Sequence, residues 1–254
     1  MRKNTIYIVL LLITFLYSPF LKGADFASSN VLDCKQLYAE MRLENIVDYK
    51  AFEQVLSGYN KMGAKCNNII TLIDFTKPST EERFYVLDIK QKKMLHSSHV
   101  SHGRNSGENY ATSFSNQSGS YKSSLGFYLT GNTYYGKHGC SLILNGLEKG
   151  INDKAKERAI VIHGASYANP SVIAGNGRLG RSLGCPALPQ AVSESIINMI
   201  KNGSLLYIYA NDKNYLNQSS FLSCDESLFK PKFLQTGNAL PSSSDNNKSI
   251  SVLF

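Results

Sequence analysis

Several motifs that mark common enzyme classes are missing from this 254-residue sequence. It contains no phosphate-binding loop, no dinucleotide-binding glycine fingerprint and no serine-centred nucleophile elbow, which argues against three large classes of enzyme. It has no internal repeat. Beyond its N-terminus it has no apolar run of the roughly 20 residues needed to cross a membrane. The length allows one substantial hydrophobic core, with room for a small accessory piece.

The first 23 residues have the layout of a secretory signal peptide. Met1-Arg2-Lys3 is positively charged, and residues 6–16 are apolar except for Thr14. An uncleaved membrane anchor is the alternative, but it would need a longer apolar run. We therefore expect an exported protein, periplasmic or associated with a bacterial cell envelope, that has no integral membrane segment after cleavage.

The charge of the chain is moderately basic and evenly scattered. The formal net charge is +8, and loss of Arg2, Lys3 and Lys22 with the leader lowers it to +5. A nucleic-acid-binding protein would concentrate its basic residues on one face, among aromatic side chains. The composition therefore argues against a nucleic-acid partner and suits anionic envelope polymers or substrates that carry carboxylates.

The cysteine count is odd. In an oxidising compartment at least one of the five thiols must stay unpaired or pair with another molecule. Cys34 and Cys66 are the pair we favour, because both fall in the N-terminal helical region. Cys185 has three possible roles: a disulfide partner, a small buried side chain or a nucleophile.

The pattern of apolar residues divides the mature chain into three parts. Residues 24–66 have a helical period that predicts a two-helix hairpin, with Asp48 capping the second helix and Gly63 ending it. Residues 67–212 read mainly as β-strands with one or two packed helices, and residues 213–254 read as a polar, partly disordered extension.

Within the β-rich part, six segments have the composition of strands and one has that of a helix. The predicted strands cover 69–75, 84–89, 93–100, 141–144, 159–162 and 205–209, and the predicted helix covers 191–201. Residues 102–128, rich in Gly, Ser and Asn, read as a structured loop anchored by aromatic side chains.

Cys185 and His163 form the strongest candidate for a catalytic pair. His163 ends an apolar strand and is followed by Gly164, while Cys185 stands between Gly184 and Pro186. Gly184 permits an unusual backbone angle and close approach of a substrate. An imidazole close to a thiol helps it to ionise and attack. The alternative is a structural cysteine and an ordinary strand-end histidine, and spacing alone does not separate the two.

Three histidines at three-residue intervals, His96, His99 and His102, resemble a metal-ligand pattern at first sight. On an extended segment, however, this spacing alternates the side chains between opposite faces, so that the rings do not converge. We therefore predict neither a metal site nor any other cofactor.

Two segments, one containing His163 and the other Cys185, resemble the catalytic motif of the L,D-transpeptidases, the YkuD-like cysteine enzymes of bacterial cell-wall synthesis. They are Ile160-Val-Ile-His-Gly-Ala165 and Gly180-Arg-Ser-Leu-Gly-Cys-Pro-Ala187. Upstream segments extend the resemblance to the murein L,D-transpeptidase catalytic-domain branch, over roughly residues 56–210. They include 74–75, 78–79, 83–88, 99–103, 114–120, 123–128, 135–139 and 152–153.

The resemblance implies a mainly β, mixed-sheet or sandwich fold and a cysteine acyl-enzyme. Cys185 would be the nucleophile, His163 its general base, Gly184 and Cys185 the oxyanion donors, and Ser182 a residue that shapes the loop. The substrate would be a peptidoglycan stem peptide, attacked between diaminopimelate and a terminal D-alanine. An amine acceptor would make the enzyme a transpeptidase, and water an L,D-carboxypeptidase.

This sequence departs from the common family pattern beside the cysteine. Leu183 stands where a histidine is frequent, and Ala187 where an arginine or asparagine is frequent. We expect Arg178 or Arg181 to replace the missing contact with a substrate carboxylate. Gly164, His102 and His138 are further candidates for the cleft, although a core or hydrogen-bonding role is the competing interpretation of both histidines.

Two alternatives to a transpeptidase remain besides the carboxypeptidase. One is a non-catalytic peptidoglycan-binding protein that uses the same cleft, and the other is an envelope protein whose cysteines are all structural. We expect the protein to be a monomer.

Overall fold

Eight strands form one mixed sheet in the computed structural model, which describes residues 33–222. The strands are β1 (Ile69–Asp74), β2 (Phe84–Asp88), β3 (Lys93–Ser98), β4 (Gly126–Gly136), β5 (Gly139–Gly146), β6 (Val161–Ala165), β7 (Ala187–Pro189) and β8 (Leu205–Tyr209). Their order across the sheet is β3-β2-β1-β8-β4-β5-β6-β7. The predicted mainly β, mixed-sheet fold is confirmed.

The two ends of the sheet curve towards each other, so that the sheet is nearly a barrel. Strands β1 and β8 are parallel, as are β6 and β7, and the other neighbours are antiparallel. Single bridges join Ser101 to Ala187 and Gly103 to Ser182. The chain that follows β3 therefore lies beside β7, and it brings the loop after Ser101 to the segment that carries Cys185.

Five helices accompany the sheet in the described residues. They are α1 (Cys34–Glu40), α2 (Tyr49–Met62), α3 (Ile173–Asn176), α4 (Gln190–Ile200) and α5 (Lys213–Gln218), with short 3-10 turns at Gly63–Lys65, Ser166–Ala168 and Pro170–Val172. Within residues 33–222 no helix is long and apolar enough to cross a lipid bilayer.

The predicted helical hairpin is present as α1 and α2. The Asp48 carboxylate accepts a 2.9 Å hydrogen bond from the Ala51 N–H at the start of α2, and Gly63 ends the helix with a positive φ of 52°. Tyr38 of α1 packs edge-on against Tyr49, with ring centroids 5.1 Å apart. Local capping and periodicity therefore suffice to explain this element.

Helix α2 shares its core with the sheet. Phe52, Val55 and Leu56 are fully buried in the same apolar cluster as the strands. At Gly58 a Cβ atom would lie 2.2 Å from the ring of Phe127 on β4, so only glycine allows the helix to approach this closely. Over the residues that the structure describes, the helical region therefore shares the main core.

Strand β4 is the largest element missing from the sequence prediction. The sequence predicted a loop over 102–128, but β4 begins at Gly126. The strand continues through Gly131 and Asn132, residue types that disfavour β-structure. Pairing with β5 supplies its hydrogen bonds, with a register shift between Thr130 and Thr133. Tertiary pairing overrides local propensity here.

The chain beyond β8 stays packed for longer than predicted. In α5, the start of the predicted polar extension, Tyr215 is buried, and its hydroxyl donates to Glu148 at 3.2 Å. Ser219 is also buried and bonds the same carboxylate. Residues 1–32, which include the predicted leader, and residues 223–254 lie outside the described part of the chain.

The predicted pairing of Cys34 with Cys66 is wrong in this structure, where both thiols are free. Cys34 begins α1, near the first turns of α2, whereas Cys66 follows the far end of α2. The 14 residues of α2 span roughly 21 Å at about 1.5 Å per residue, too far for a disulfide. Cys140 and Cys185 are free as well, and Cys224 lies outside the described residues.

Candidate active site

The loop that carries Cys185 is held from within by one hydroxyl group. The Oγ of Ser182 accepts a 3.0 Å bond from the Gly184 N–H and donates a 2.6 Å bond to the Cys185 carbonyl. The backbone of Ser182 pairs with the loop after β3, because its N–H donates a 2.9 Å hydrogen bond to the His102 carbonyl. Ser182 therefore shapes the turn in which the cysteine sits.

Gly184 is the residue that this turn requires. Its φ is +128°, and a Cβ atom there would lie 2.9 Å from the Lys122 carbonyl. Both the angle and the close approach exclude a side chain. The Gly184 N–H, which the sequence suggested as an oxyanion donor, is bonded to the Ser182 hydroxyl in this structure.

The pairing of β6 with β7 brings His163 to the cysteine. His163 lies opposite Ala187 in this parallel register, and the same register continued by two residues places Val161 beside Cys185. With strands about 4.8 Å apart and a rise of about 3.3 Å per residue, the His163 and Cys185 backbones are separated by roughly 8 Å on the diagonal. This pairing therefore places His163 and the segment that carries Cys185 on neighbouring strands.

His163 is held in the tautomer that a general base needs. It is buried, and its Nδ1 lies 3.0 Å from the Gly164 carbonyl. A carbonyl oxygen only accepts hydrogen bonds, so Nδ1 carries the proton and Nε2 presents a free lone pair. Burial lowers the pKa of His163 below its ordinary 6.5, and the neighbouring His138 and Lys137 lower it further.

The Cys185 thiol is half-buried and protonated at rest. Its Sγ lies 3.7 Å from the Ala159 carbonyl. Burial raises the thiol pKa above 9.0, whereas backbone hydrogen bonds from Val161 and Cys185 and the charge of Arg158 oppose the rise.

His138 is the outer wall of this site. It stands at the tip of the β4–β5 hairpin, exposed, with its ring centroid 4.5 Å from that of His163. The hairpin is tied to α4 by the Tyr135 hydroxyl, which donates to Glu194 at 2.7 Å. The structure thus places the His138 ring against that of His163.

Residues 43–209 match the family model described as the L,D-transpeptidase catalytic domain, over well more than half of the chain. The chain belongs to this family.

Solved structures of the same class are similar at low identity. An L,D-transpeptidase from Mycobacterium smegmatis is 12% identical, with 56% of this chain and 59% of that chain covered and a TM-score of 0.35. L,D-transpeptidase 3 from Mycobacterium tuberculosis is 12% identical, with 56% and 61% covered and a TM-score of 0.37.

A third structure is the helical cell shape determining protein Pgp2 (K307A mutant) from Campylobacter jejuni. It is 17% identical, with 63% of this chain and 55% of that chain covered and a TM-score of 0.37. The chain thus spans less than two thirds of each of these three proteins. Among curated proteins, no sequence matches it.

Arg178 and Arg181 are already paired in this L,D-transpeptidase domain. The Arg178 Nε lies 2.9 Å and the Arg181 Nη1 2.7 Å from the two carboxylate oxygens of Glu108. Arg181 also donates to the carbonyls of Arg104 and Gly107. A substrate carboxylate would have to compete with Glu108, so these arginines are poorer substitutes for the missing family residue than the sequence suggested.

Arg158 is the cation that sequence reasoning missed. It donates to the carbonyls of Ser115 at 2.8 Å and Lys122 at 2.6 Å. A Cβ atom built on Gly184 would lie 3.3 Å from its Nη2, and its charge lowers the pKa of Cys185. In the sequence it ends an ordinary charged run, 154–158, and nothing there marks it as a site residue.

Gly164 and His102 do not face the cleft. Gly164 is buried against α4, where a Cβ atom would lie 2.4 Å from the Ser193 hydroxyl oxygen. It serves helix packing and, through its carbonyl, the His163 tautomer. His102 is fully buried, and its Nδ1 accepts a 2.8 Å bond from Arg83. Burial and this cation lower its pKa to about 4, so it is a neutral core residue behind the Cys185 loop.

The three histidines of the predicted strand region occupy separate environments. His96 lies on β3, His99 has its Nε2 3.2 Å from the Thr80 carbonyl, and His102 is in the core. Among the described residues no cluster of three His, Cys, Asp or Glu side chains has the geometry of a metal site.

Arg83 supports the His102 loop from the core. It donates to the carbonyls of Lys77 and Val100 as well as to His102, and it is fully buried. Arg83→Met should lower the free energy of unfolding by about 3 kcal/mol, because these acceptors lose their donors. Urea denaturation measures the change. Lys93→Met, at an exposed site on β3, is the control and should shift stability by no more than about 0.5 kcal/mol. A loss below about 1 kcal/mol for Arg83→Met would contradict the role.

Proposed function

We propose that this protein is an exported L,D-transpeptidase that acts on peptidoglycan stem peptides through a thioester on Cys185. The observation that carries the proposal is the His163 imidazole, buried beside the cysteine loop and fixed by the Gly164 carbonyl with its Nε2 unprotonated. Membership of the L,D-transpeptidase family supports the substrate class.

In the acylation step, His163 Nε2 takes the thiol proton as Cys185 Sγ attacks the carbonyl between diaminopimelate and the terminal D-alanine. The negative charge on the tetrahedral oxygen is met by the Cys185 N–H. His163 then returns the proton to the leaving nitrogen, the C–N bond breaks, D-alanine departs and a thioester remains.

In the second step, an amine of another stem peptide attacks the thioester. His163 accepts a proton from this amine, the new amide bond forms, and the C–S bond breaks. The proton returns to the thiolate, which restores the resting state. With water as acceptor, the same steps would release a tripeptide, and the enzyme would be an L,D-carboxypeptidase.

Mass spectrometry of the protein incubated with tetrapeptide muropeptides tests the proposal. We expect free D-alanine, an intermediate whose mass corresponds to an acyl group on Cys185, and crosslinked dimers. Release of D-alanine without dimers would assign the carboxypeptidase reaction instead. Muropeptide binding with no product at all would favour a non-catalytic binding protein.

The pH dependence should report the low pKa of His163. Protonation of this base abolishes its function, and burial together with His138 and Lys137 pushes that protonation below the ordinary 6.5. The acidic limb of kcat/KM should therefore have its midpoint below pH 6.5. His138→Ala removes one of the groups that lower the pKa and should move the midpoint upward.

His99→Ala, which removes a ring that contacts the Thr80 carbonyl and is not among the groups that shift the pKa of His163, is the control and should leave the midpoint unchanged. A resting thiolate–imidazolium pair would behave differently, because iodoacetamide would then alkylate Cys185 rapidly even below pH 5. That result would contradict the neutral resting state.

A further inference from the structure

A groove separate from the cysteine opens at the same end of the sheet. It consists of two depressions of about 310 and 190 Å³ that share Phe114 and Asp212 in their walls. One depression follows the ends of β1 and β8, and the other lies between the loop 114–116 and α5. None of the family-motif residues assigned to catalysis lies in its lining.

The lining of this groove is partly aromatic and has a single charged side chain. Tyr110 is 51% exposed at its edge, and Phe114 is half-buried and stacked on Phe75, with ring centroids 6.2 Å apart and the rings 10° from parallel. Asp212 is the only acidic or basic side chain among the residues that line it, and its Oδ1 accepts from the Tyr215 N–H at 2.9 Å. In a basic protein, such a groove suits an uncharged ligand.

Three exposed primary amides line the groove. Asn211, Asn214 and Gln218 are exposed there, and the last two stand four residues apart on one face of α5. A primary amide offers both a donor and an acceptor, which matches hydroxyl and N-acetyl groups. Aromatic rings beside such amides match the apolar C–H faces of pyranose sugars.

The groove is linked to the catalytic loop by one side chain. The Ser115 carbonyl, in the groove wall, accepts from Arg158 Nη1 at 2.8 Å, and the other end of the same guanidinium lies beside Gly184. A stem peptide has three residues between its sugar and the scissile carbonyl, a reach of about 10 Å when extended. A sugar in the groove and a carbonyl at Cys185 are therefore compatible with one donor molecule.

We infer that this groove is a subsite for the N-acetylated sugar to which the donor stem peptide is attached. The inference rests on the proposed function for the identity of the donor. It adds that the enzyme recognises a saccharide as well as a peptide, through Tyr110, Phe114 and the amides of α5.

Saccharide binding by the full mature chain tests the inference without catalysis. We expect the soluble trimer of N-acetylglucosamine to shift NMR resonances of groove residues, and Tyr110→Ala and Asn214→Ala each to weaken binding by about fivefold to tenfold. Tyr134→Ala removes a tyrosine of similar exposure, 45%, on β4 outside the groove, and should bind like wild type. Circular dichroism verifies that each variant is folded.

A kinetic comparison gives the second readout. Tyr110→Ala should raise KM about fivefold to tenfold for a disaccharide-tetrapeptide donor and leave KM for the sugar-free tetrapeptide unchanged. Equal changes for both donors, or trimer binding that neither groove variant weakens, would overturn the inference. A lack of Cys185 acylation by either donor would count against the proposed function alone, because trimer binding is read independently.

Discussion

Cys185→Ser should lower D-alanine release from tetrapeptide muropeptides by at least about 10⁴-fold. A serine hydroxyl has nearly the same shape as a thiol, but its proton is much harder to remove. His163 is the single base proposed for this step and would not compensate for that difference. The turn itself should survive, because Ser182 and Gly184 hold it through backbone and hydroxyl contacts. The acyl-enzyme mass should be absent from the variant.

The matched control for this change is Cys66→Ser, which alters another half-buried free thiol, after α2 and remote from the catalytic loop. It should retain wild-type rates and the acyl-enzyme mass. Residual activity above about 1% in Cys185→Ser, or an equal loss in Cys66→Ser, would show that Cys185 is not the nucleophile.

His163→Gln should lower kcat/KM by about 10²–10⁴-fold at neutral pH. Without the imidazole, the thiol keeps the raised pKa that burial causes, so little thiolate exists at pH 7. Activity of the variant should then climb with pH towards the thiol pKa, unlike that of the wild type. Stopped-flow acylation and iodoacetamide alkylation across pH 6–10 measure both effects.

His96→Gln, on β3, changes a histidine outside the cysteine cleft and should follow the wild-type profile. If His163→Gln lost activity while the rate of Cys185 alkylation stayed independent of pH, the imidazole would act on the substrate rather than on the thiol. Unchanged activity in His163→Gln would exclude its role as the base.

Helix α2 was readable from the sequence for local reasons. Asp48 and Gly63 mark the ends of α2 by interactions within a few residues of themselves, and both contacts exist. Strand β4 was not readable, since Gly131 and Asn132 oppose a strand and only the partners β5 and β8 supply its hydrogen bonds. Strand β7, with Pro189 at its end, is likewise formed by its neighbour β6.

The candidate site divides in the same way. The Cys185 and His163 motifs, and the need for Gly184 beside the thiol, follow from residue types in sequence. The electrostatic partners of these residues do not follow from the sequence. Arg158 looks like any solvated cation in its charged run, and Arg178 and Arg181 look available until Glu108 is placed between them. Glu108 lies about 70 residues from these arginines in sequence.

The sequence by itself determined the candidate groups of the site: one thiol, one strand-end imidazole and the glycine that lets the loop turn. Only the tertiary structure decided how they are tuned. The Gly164 carbonyl selects the tautomer of His163, Ser182 binds the Gly184 N–H, and the His138 ring lies against that of His163 from a hairpin tip. The physical reason is that hydrogen-bond partners and Coulomb interactions depend on distances in space, which strand pairing sets between residues far apart in the chain.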